Sequence, residues 1–289
     1  KDVIITLCGL FKNDEVLNHA IEFAGDGIKH LSMEERMSIS NMTTEWGALA
    51  GIFPFDKTLL GWLNKRADWL LNRRIKRWTR EDVTFWFENK TLSDVDANFD
   101  IELELNLETV TPHVSGPDHV KNMRPLSNIK PNEIPIQKAY LLSCVNARLE
   151  DLKEAATVVE GKKVADGVSF YVAAASKTIQ SDAEQLGYWK SLKDAGAIFL
   201  PPGCGTCIGL GVGTLEDGEV GISATNRNFK GRMGSRDAKA YLASPAVVAA
   251  SAVLGYISAP ATYKKTKPLG KILSTKSNLP IENKNTKII

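Results

Sequence analysis

Residues 138–159 read KAYLLSCVNARLEDLKEAATVV, and this stretch sets the fold class. An apolar run over Lys138–Leu142 predicts a strand, and the segment Leu149–Val159 predicts a helix. The pattern then repeats, with a strand over Val168–Ala173, a helix over Ser181–Asp194 and a strand over Ala197–Leu200. Strands and helices in this alternation have the spacing of parallel βαβ units, so the chain reads as α/β. Each strand closes in a polar or glycine-rich turn. In open parallel sheets ligands gather at the carboxyl ends of strands, which marks the turns carrying Cys144 and Cys204 before any motif is considered.

Upstream, Val3–Leu7 reads as a short apolar strand and Asp14–Phe23 as a helical segment. A second helix opens at Ser32 with Glu35 three residues on, the pattern of a capping box, which places Asn41 and Glu45 at or just beyond a helical turn. Apolar residues from Leu59 to Leu71 recur at helical spacing opposite Lys65, Arg66, Arg73 and Arg74, giving an amphipathic helix. Trp62, Trp69, Trp78 and Trp86 are read as packing aromatics with no chemistry. Ile101, Leu103, Leu105 and Leu107 alternate with polar residues at the two-residue period of a half-buried strand. The stretch Thr111–Pro135 is broken repeatedly by proline and glycine. It marks the boundary between two expected lobes, residues 1–129 with Asn41 and Glu45, and residues 130–262 with the cysteine turns. Residues 263–289 are Lys-, Asn- and Ser-rich and are expected to be a flexible tail or linker.

The 36 Lys and Arg nearly cancel the 34 Asp and Glu, leaving a formal charge of +2, so no field over the molecule favours nucleic acid or a membrane surface. The longest apolar window, Pro245–Leu254, is too short to span a bilayer and is expected to be a buried helix. Four cysteines at uneven spacing do not form the framework of a disulfide-stapled secreted domain, which favours a reducing compartment. The chain opens on Lys1 with no targeting segment, from which it is expected to begin inside a longer protein.

Cys204-Gly205-Thr206-Cys207 has three physical readings: a redox dithiol, half of a zinc site, or two ligands of an iron–sulfur cluster. Zinc would need a second Cys pair or a close His pair, yet all four histidines lie upstream of residue 120. A dithiol needs a strand and a helix around the motif, whereas Pro201-Pro202-Gly203 precedes it and Ile208-Gly209-Leu210-Gly211 follows. An irregular glycine-rich loop can aim backbone N–H groups at cluster sulfides. Cys144 can join it from a neighbouring strand end. A four-iron cluster on three thiolates would leave one iron open as a Lewis acid. Cys8, inside an apolar segment, is read as a core residue. Downstream, Arg227 and Arg232 flank glycine and asparagine in a polar turn after a strand at Glu219–Ile222, and two planar guanidiniums suit the bidentate binding of a polycarboxylic acid.

Taken together, Ser143-Cys144-Val145-Asn146, Cys204-Gly205-Thr206-Cys207-Ile208-Gly209, Asn226-Arg227-Asn228-Phe229-Lys230-Gly231-Arg232 and Tyr241-Leu242-Ala243-Ser244-Pro245 resemble, in order and spacing, the motifs of the aconitase family. Asn41-Met42-Thr43-Thr44-Glu45-Trp46-Gly47-Ala48 resembles a further segment, so the resemblance covers about Lys1 to Pro260. It implies three-layer α/β/α lobes with parallel-rich sheets and a hydro-lyase that moves water across a carbon–carbon bond. It also implies that Cys144, Cys204 and Cys207 ligate a [4Fe–4S] cluster, that Arg227 and Arg232 bind substrate carboxylates, and that Asn41 and Asn226 hydrogen-bond substrate oxygens at the open iron. By the same resemblance Glu45 pairs with a catalytic histidine.

Within the family, residues 41–54 and 221–250 look most like the branch acting on homoaconitate and homoisocitrate, tricarboxylic acids of mitochondrial lysine biosynthesis. Branches acting on citrate or isopropylmalate, and a non-catalytic cluster-binding module, are the competing readings. Val145 and Thr206 stand where the family usually has Thr and Pro, which removes no ligand. The family's amino-terminal and swivel domains are not recognised in the chain. The resemblance therefore implies little activity in isolation, completion by those domains, and a monomeric full-length form.

Overall fold

The strand at Lys138–Leu141 is buried on both sides. Ala139 and Leu141 enter one core, while Tyr140 and the following Leu142 enter another. Phe170 and Val172 against Tyr171 and Ala173 divide in the same way one strand over. This two-faced burial is what a central parallel strand requires and explains its continuous apolar sequence. The fold is α/β. The computed structural model describes residues 1–260, 266–275 and 285–288.

The described helices are α1 (Asp2–Leu10), α2 (Met33–Trp46), α3 (Lys57–Asn72), α4 (Arg80–Glu88), α5 (Leu149–Val159), α6 (Lys177–Gln185), α7 (Tyr188–Ala195) and α8 (Pro245–Leu254). The strands are β1 (Ala20–Phe23), β2 (Ala50–Ile52), β3 (Ile101–Leu105), β4 (His113–Ser115), β5 (Met123–Pro125), β6 (Lys138–Leu141), β7 (Ser169–Val172), β8 (Ile198–Phe199), β9 (Val220–Ser223), β10 (Lys239–Ala243), β11 (Gly270–Thr275) and β12 (Asn285–Ile288). They form two sheets, ordered β11-β3-β12-β1-β2 and β5-β4-β10-β9-β6-β7-β8. In the larger sheet β10, β9, β6, β7 and β8 run parallel, and the β4–β5 pair adds an antiparallel edge. Helices α5, α7 and α8 bury their apolar residues against one face of it.

Several segments differ from the sequence expectation for identifiable reasons. Residues 3–7, expected as a strand, belong to α1, in which Ile4, Ile5, Thr6, Leu7 and Cys8 are all buried. A short apolar run carries no period that separates a buried strand from a buried helix. Helix α1 packs against α2, β4 and β5, and shares a core with Leu103 and Leu105 of the small sheet and Leu242 of the large one. Residues 14–23 are not helical. Asp14 and Asn18 adopt left-handed backbone conformations, with φ of 63° and 62°, and a turn leads into β1. The single helix expected over Ser181–Asp194 is two, α6 and α7, separated at Gly187 with φ 83°. The boundary stretch 111–135 contributes β4 and β5 to the large sheet. Of the tail, residues 261–265, 276–284 and 289 lie outside the described residues, and β11 and β12 pair within the small sheet. The buried helix expected at Pro245–Leu254 is α8.

Helix α2 is fixed at both ends. Ser32 and Glu35 complete the capping box, and Gly47 closes the helix in the left-handed conformation at φ 114°. Its first turns are held by Arg36, almost fully buried, which donates to Asp56 Oδ1 at 2.8 Å and Oδ2 at 2.7 Å and to the Ile28 and Leu31 carbonyls. Burial works against the Asp56 carboxylate, but hydrogen bonds from Arg36 and from the Leu59 and Thr58 amides hold its pKa below the ordinary range. Among the tryptophans, Trp69 is flanked by the Arg66 and Arg73 guanidiniums at 3.8 and 4.1 Å, and Trp78 packs on Trp86. No described helix is long and apolar enough to cross a membrane.

Removing the partner of the buried Arg36 leaves an uncompensated charge, so Asp56→Ala is expected to lower the unfolding free energy by about 3–5 kcal/mol in urea titrations. Because the folded pKa of Asp56 is depressed, this contribution is present above the ordinary carboxylate pKa and disappears as pH falls through the folded value. A change below about 1 kcal/mol at neutral pH would contradict this account of how α2 is anchored.

Candidate functional site

Parallel strands β9, β6, β7 and β8 direct their carboxyl ends to one edge of the large sheet. The turn after β6 carries Cys144, the loop after β8 carries Cys204 and Cys207, and the turn after β9 carries Asn226 and Arg227.

Cys144 follows Ser143, whose φ of 106° is unusual for a residue with a side chain. The Ser143 hydroxyl accepts hydrogen bonds from the Val145 and Asn146 amides at 3.3 and 3.2 Å, which closes the turn. Asn146 is buried and donates to Ser38 Oγ at 3.0 Å and Asp151 Oδ1 at 3.3 Å, while Ser38 donates to the Val145 carbonyl. This turn is therefore built against α2. Burial raises the pKa of the Asp151 carboxyl in spite of hydrogen bonds from the Arg148 amide and Asn146.

Cys204 caps, and Cys207 lies on, a short 3-10 helix, Gly205–Ile208, and the Cys207 amide donates to the Cys204 carbonyl at 2.8 Å. The loop then crosses the sheet over the stacked rings of Tyr140 and Tyr171, 5.7 Å apart. Gly213 sits on the second ring with φ 84°, and a Cβ there would fall 2.6 Å from Tyr171 Cζ, so only glycine fits. Tyr140 donates its hydroxyl to the Gly213 carbonyl at 2.7 Å. Cys144 and Cys204 are exposed and Cys207 is buried. Burial pushes the Cys207 thiol above its ordinary pKa, the adjacent Arg232 guanidinium pulls it down by charge and hydrogen bonding, and the nearby Cys204 and Cys144 add to the rise. Among the described residues, no three His, Cys, Asp or Glu side chains converge on a site for a single metal ion. Cys8 lies apart in α1, where burial and then the charge of Glu45 push its thiol pKa up.

Asn41 and Glu45 lie within α2, not beyond it, and face the turn after β9. Asn226 Nδ2 donates to Asn41 Oδ1 at 3.3 Å and to Glu45 Oε1 at 3.2 Å, and Arg227 Nε makes a short ion pair with Glu45 Oε1. Glu45 is nearly buried, and its second oxygen has no hydrogen-bond partner. The Arg232 Nε is likewise buried without a partner, and its guanidinium carbon lies 5.6 Å from the centre of the Phe229 ring. The partner of Glu45 in this structure is thus Arg227, on the turn after β9.

Two residues were missed by the sequence reading. Ser38 shares a face of α2 with Asn41 and Glu45 at offsets of three and seven residues, a polar stripe visible in the sequence once the helix is drawn. Lys1 carries no motif, yet its amine reaches the Thr225 carbonyl at 2.5 Å, Met42 Sδ at 3.0 Å and the Ala224 carbonyl at 3.4 Å.

Comparison with known proteins adds an independent line. Residues 1–255 match the aconitase family (aconitate hydratase). The chain is similar to proteins named mitochondrial homoaconitase: 57% identical to that of Debaryomyces hansenii over 90% of this chain and 38% of the relative, and 51% identical to that of Candida albicans over 99% of this chain and 43% of the relative. The Aspergillus fumigatus protein of the same name is 54% identical over 92% of this chain and 36% of its own length. The chain therefore spans less than half the length of these relatives.

The Cys144 turn should be sensitive to its buried amide. Asn146→Ala leaves Ser38 and Asp151 short of a donor and is expected to cost about 1–3 kcal/mol in urea unfolding. A loss under about 0.5 kcal/mol would show that the turn does not depend on this bridge to α2.

Proposed function

The chain belongs to the aconitase family, and on that footing we propose that it is the cluster-holding part of a mitochondrial homoaconitate hydratase. The reaction is the hydration of homoaconitate to homoisocitrate in lysine biosynthesis through α-aminoadipate. The observation that carries this reading is the convergence of Asn41, Glu45, Asn226 and Arg227 in direct hydrogen-bonded contact, on the sheet edge that also bears Cys144, Cys204 and Cys207.

The residues fit a [4Fe–4S] cluster. Each thiolate of such a cluster binds a different iron, so the sulfurs need not converge on one point. Two of the three thiols are exposed, and the Arg232 guanidinium lies beside Cys207 with its Nε buried and unpartnered, a donor left available to negative charge there. Cys144, Cys204 and Cys207 would hold the group, which when bound supplies a Lewis-acidic iron for the substrate hydroxyl.

The chain's own residues then have distinct tasks. Arg227 uses Nε on Glu45, and its two terminal NH2 groups form the fork that a substrate carboxylate would take bidentately. Arg232, beside Cys207, would neutralise a second carboxylate close to the cluster. Asn226 and Asn41 orient substrate oxygens through their amides. Glu45, nearly buried and with one oxygen free, fixes Arg227 and Asn226 and keeps an acceptor for a proton donor such as histidine. The proton-abstracting base and further substrate contacts are proposed to lie in the portion of the relatives' length that this chain does not span. The lobes proposed at 1–129 and 130–262, with β4 and β5 of the first paired into the sheet of the second, would together form the surface onto which those parts close.

Two measurements test the proposal in the full-length polypeptide. Replacing Cys144, Cys204 or Cys207 by Ser is expected to abolish the brown chromophore, whereas Cys8→Ser keeps it; loss of colour with Cys8→Ser alone would reverse the ligand assignment. Arg227→Lys keeps the charge but not the planar fork. It is expected to retain the cluster and lower kcat/KM for homoaconitate by about tenfold or more, the loss of one charge-assisted hydrogen bond. Unchanged kcat and KM would overturn the substrate-binding role, and a higher kcat/KM for citrate or isopropylmalate would move the chain to another branch of the family.

A further inference from the structure

The turn after β9 leaves the sheet at Ser223, and its backbone carbonyls must find donors outside the ladder. The Ala224 amide is paired with the Tyr140 carbonyl at 2.9 Å, and the Thr225 amide and hydroxyl are both bonded to Ser223 Oγ, at 2.9 and 2.8 Å. Ala224 and Thr225 are fully buried, so water does not serve their carbonyls. The donor that reaches both is the Lys1 amine, which also touches the sulfur of Met42 on α2. An ammonium has three hydrogens, and these contacts use three acceptors.

Nothing in ordinary stability calls for a cation there. Among the described residues no carboxylate is within hydrogen-bonding reach of the amine, and burying a charge on neutral acceptors is costly. Burial brings the Lys1 pKa down to about 8, with Glu45 and Asp151 opposing the fall from a distance. The placement has a positional logic. Met42 adjoins Asn41, and Thr225 adjoins Asn226, so the amine fixes the two chain segments at the residues next to the two asparagines that bond each other. That bond is long, at 3.3 Å, and would be lost with a small shift of the turn.

We propose that Lys1 is a positioning residue for the substrate site: its amine braces the Ala224–Thr225 carbonyls against α2 and thereby sets where Asn226 and Arg227 stand. The inference rests on the reading of Asn226 and Arg227 as substrate-binding residues.

The test uses the full-length holoenzyme with Lys1→Met, Lys1→Gln, Lys1→Arg, Asn226→Ala and the Lys1→Met/Asn226→Ala double variant. Iron and sulfide content, melting temperature, calorimetric binding of tricarballylate, and kcat and KM for homoaconitate are measured on each. Lys1→Met is expected to keep its iron and sulfide while weakening tricarballylate and lowering kcat/KM by about tenfold or more. Lys1→Gln retains one donor for Thr225 and should lie between it and wild type, and Lys1→Arg should come within about threefold of wild type. In the Asn226→Ala background Lys1→Met should cost less than it does in wild type, because part of the brace acts through that residue and the rest through Arg227. If Lys1→Met does not fold, Lys1→Gln carries the same comparison. Tricarballylate affinity within about twofold of wild type in an iron-replete Lys1→Met or Lys1→Gln protein, or full additivity with Asn226→Ala, would overturn the proposal. Asn226→Ala alone leaving affinity unchanged would instead overturn the substrate-site reading, irrespective of Lys1.

Discussion

Everything at this site depends on one helix presenting two different faces. Along α2, Ile39, Met42 and Trp46 are buried in the core shared with α1 and the small sheet. Ser38, Asn41 and Glu45 repeat the same spacing on another side and meet Asn146, Asn226 and Arg227 from the large sheet. The apolar stripe fixes the rotation of the helix, and the rotation determines where the polar stripe points. A helix held this way acts as a ruler between two strand-end turns that are distant in sequence. The caps at Ser32 and Gly47 and the buried Arg36–Asp56 pair prevent it from sliding or fraying.

The second element of the site reaches its place by a different means. The loop after β8 starts two strands away from β6 and must return across the sheet to bring Cys204 and Cys207 near the Cys144 turn. It does so on a floor of two tyrosine rings, with Gly213 pressed against one and hydrogen-bonded to the other. It is then pinned at Leu215, whose amide and carbonyl are taken by Met233 and Ser235 in the segment that carries Arg232. The cysteine loop and the Arg232 loop are thus one packed unit. That packing places a guanidinium beside the buried thiol and gives an electrostatic reason for a negatively charged group to reside there.

The parallel core was legible because central strands buried on both faces have unmistakable composition, and Leu149–Val159 and the Ser32 capping box leave clear signatures. The amino-terminal apolar run was not legible as a helix. Its residues are apolar all round, so no period betrays the conformation, and only the space between the two sheets decides it. Residues 14–23 misled because the left-handed backbone at Asp14 and Asn18 overrides a helical composition. At the site, Cys144, Cys204, Asn226 and Arg227 could be placed at strand ends from topology alone. The pairing of Glu45 with Arg227 was not visible, since it joins residues far apart in sequence through the rotation of α2. Lys1 was invisible for the same reason.

The central claim is that Cys144, Cys204 and Cys207 together hold one four-iron cluster at the edge occupied by Asn41, Glu45, Asn226 and Arg227. The most direct measurement is anaerobic reconstitution of this chain with iron and sulfide, followed by counting of both and by Mössbauer spectroscopy. The account predicts about four irons and about four sulfides per chain, with one iron spectroscopically distinct from the other three. A protein that takes up a single metal ion without sulfide, or that binds no iron while remaining folded, would contradict it.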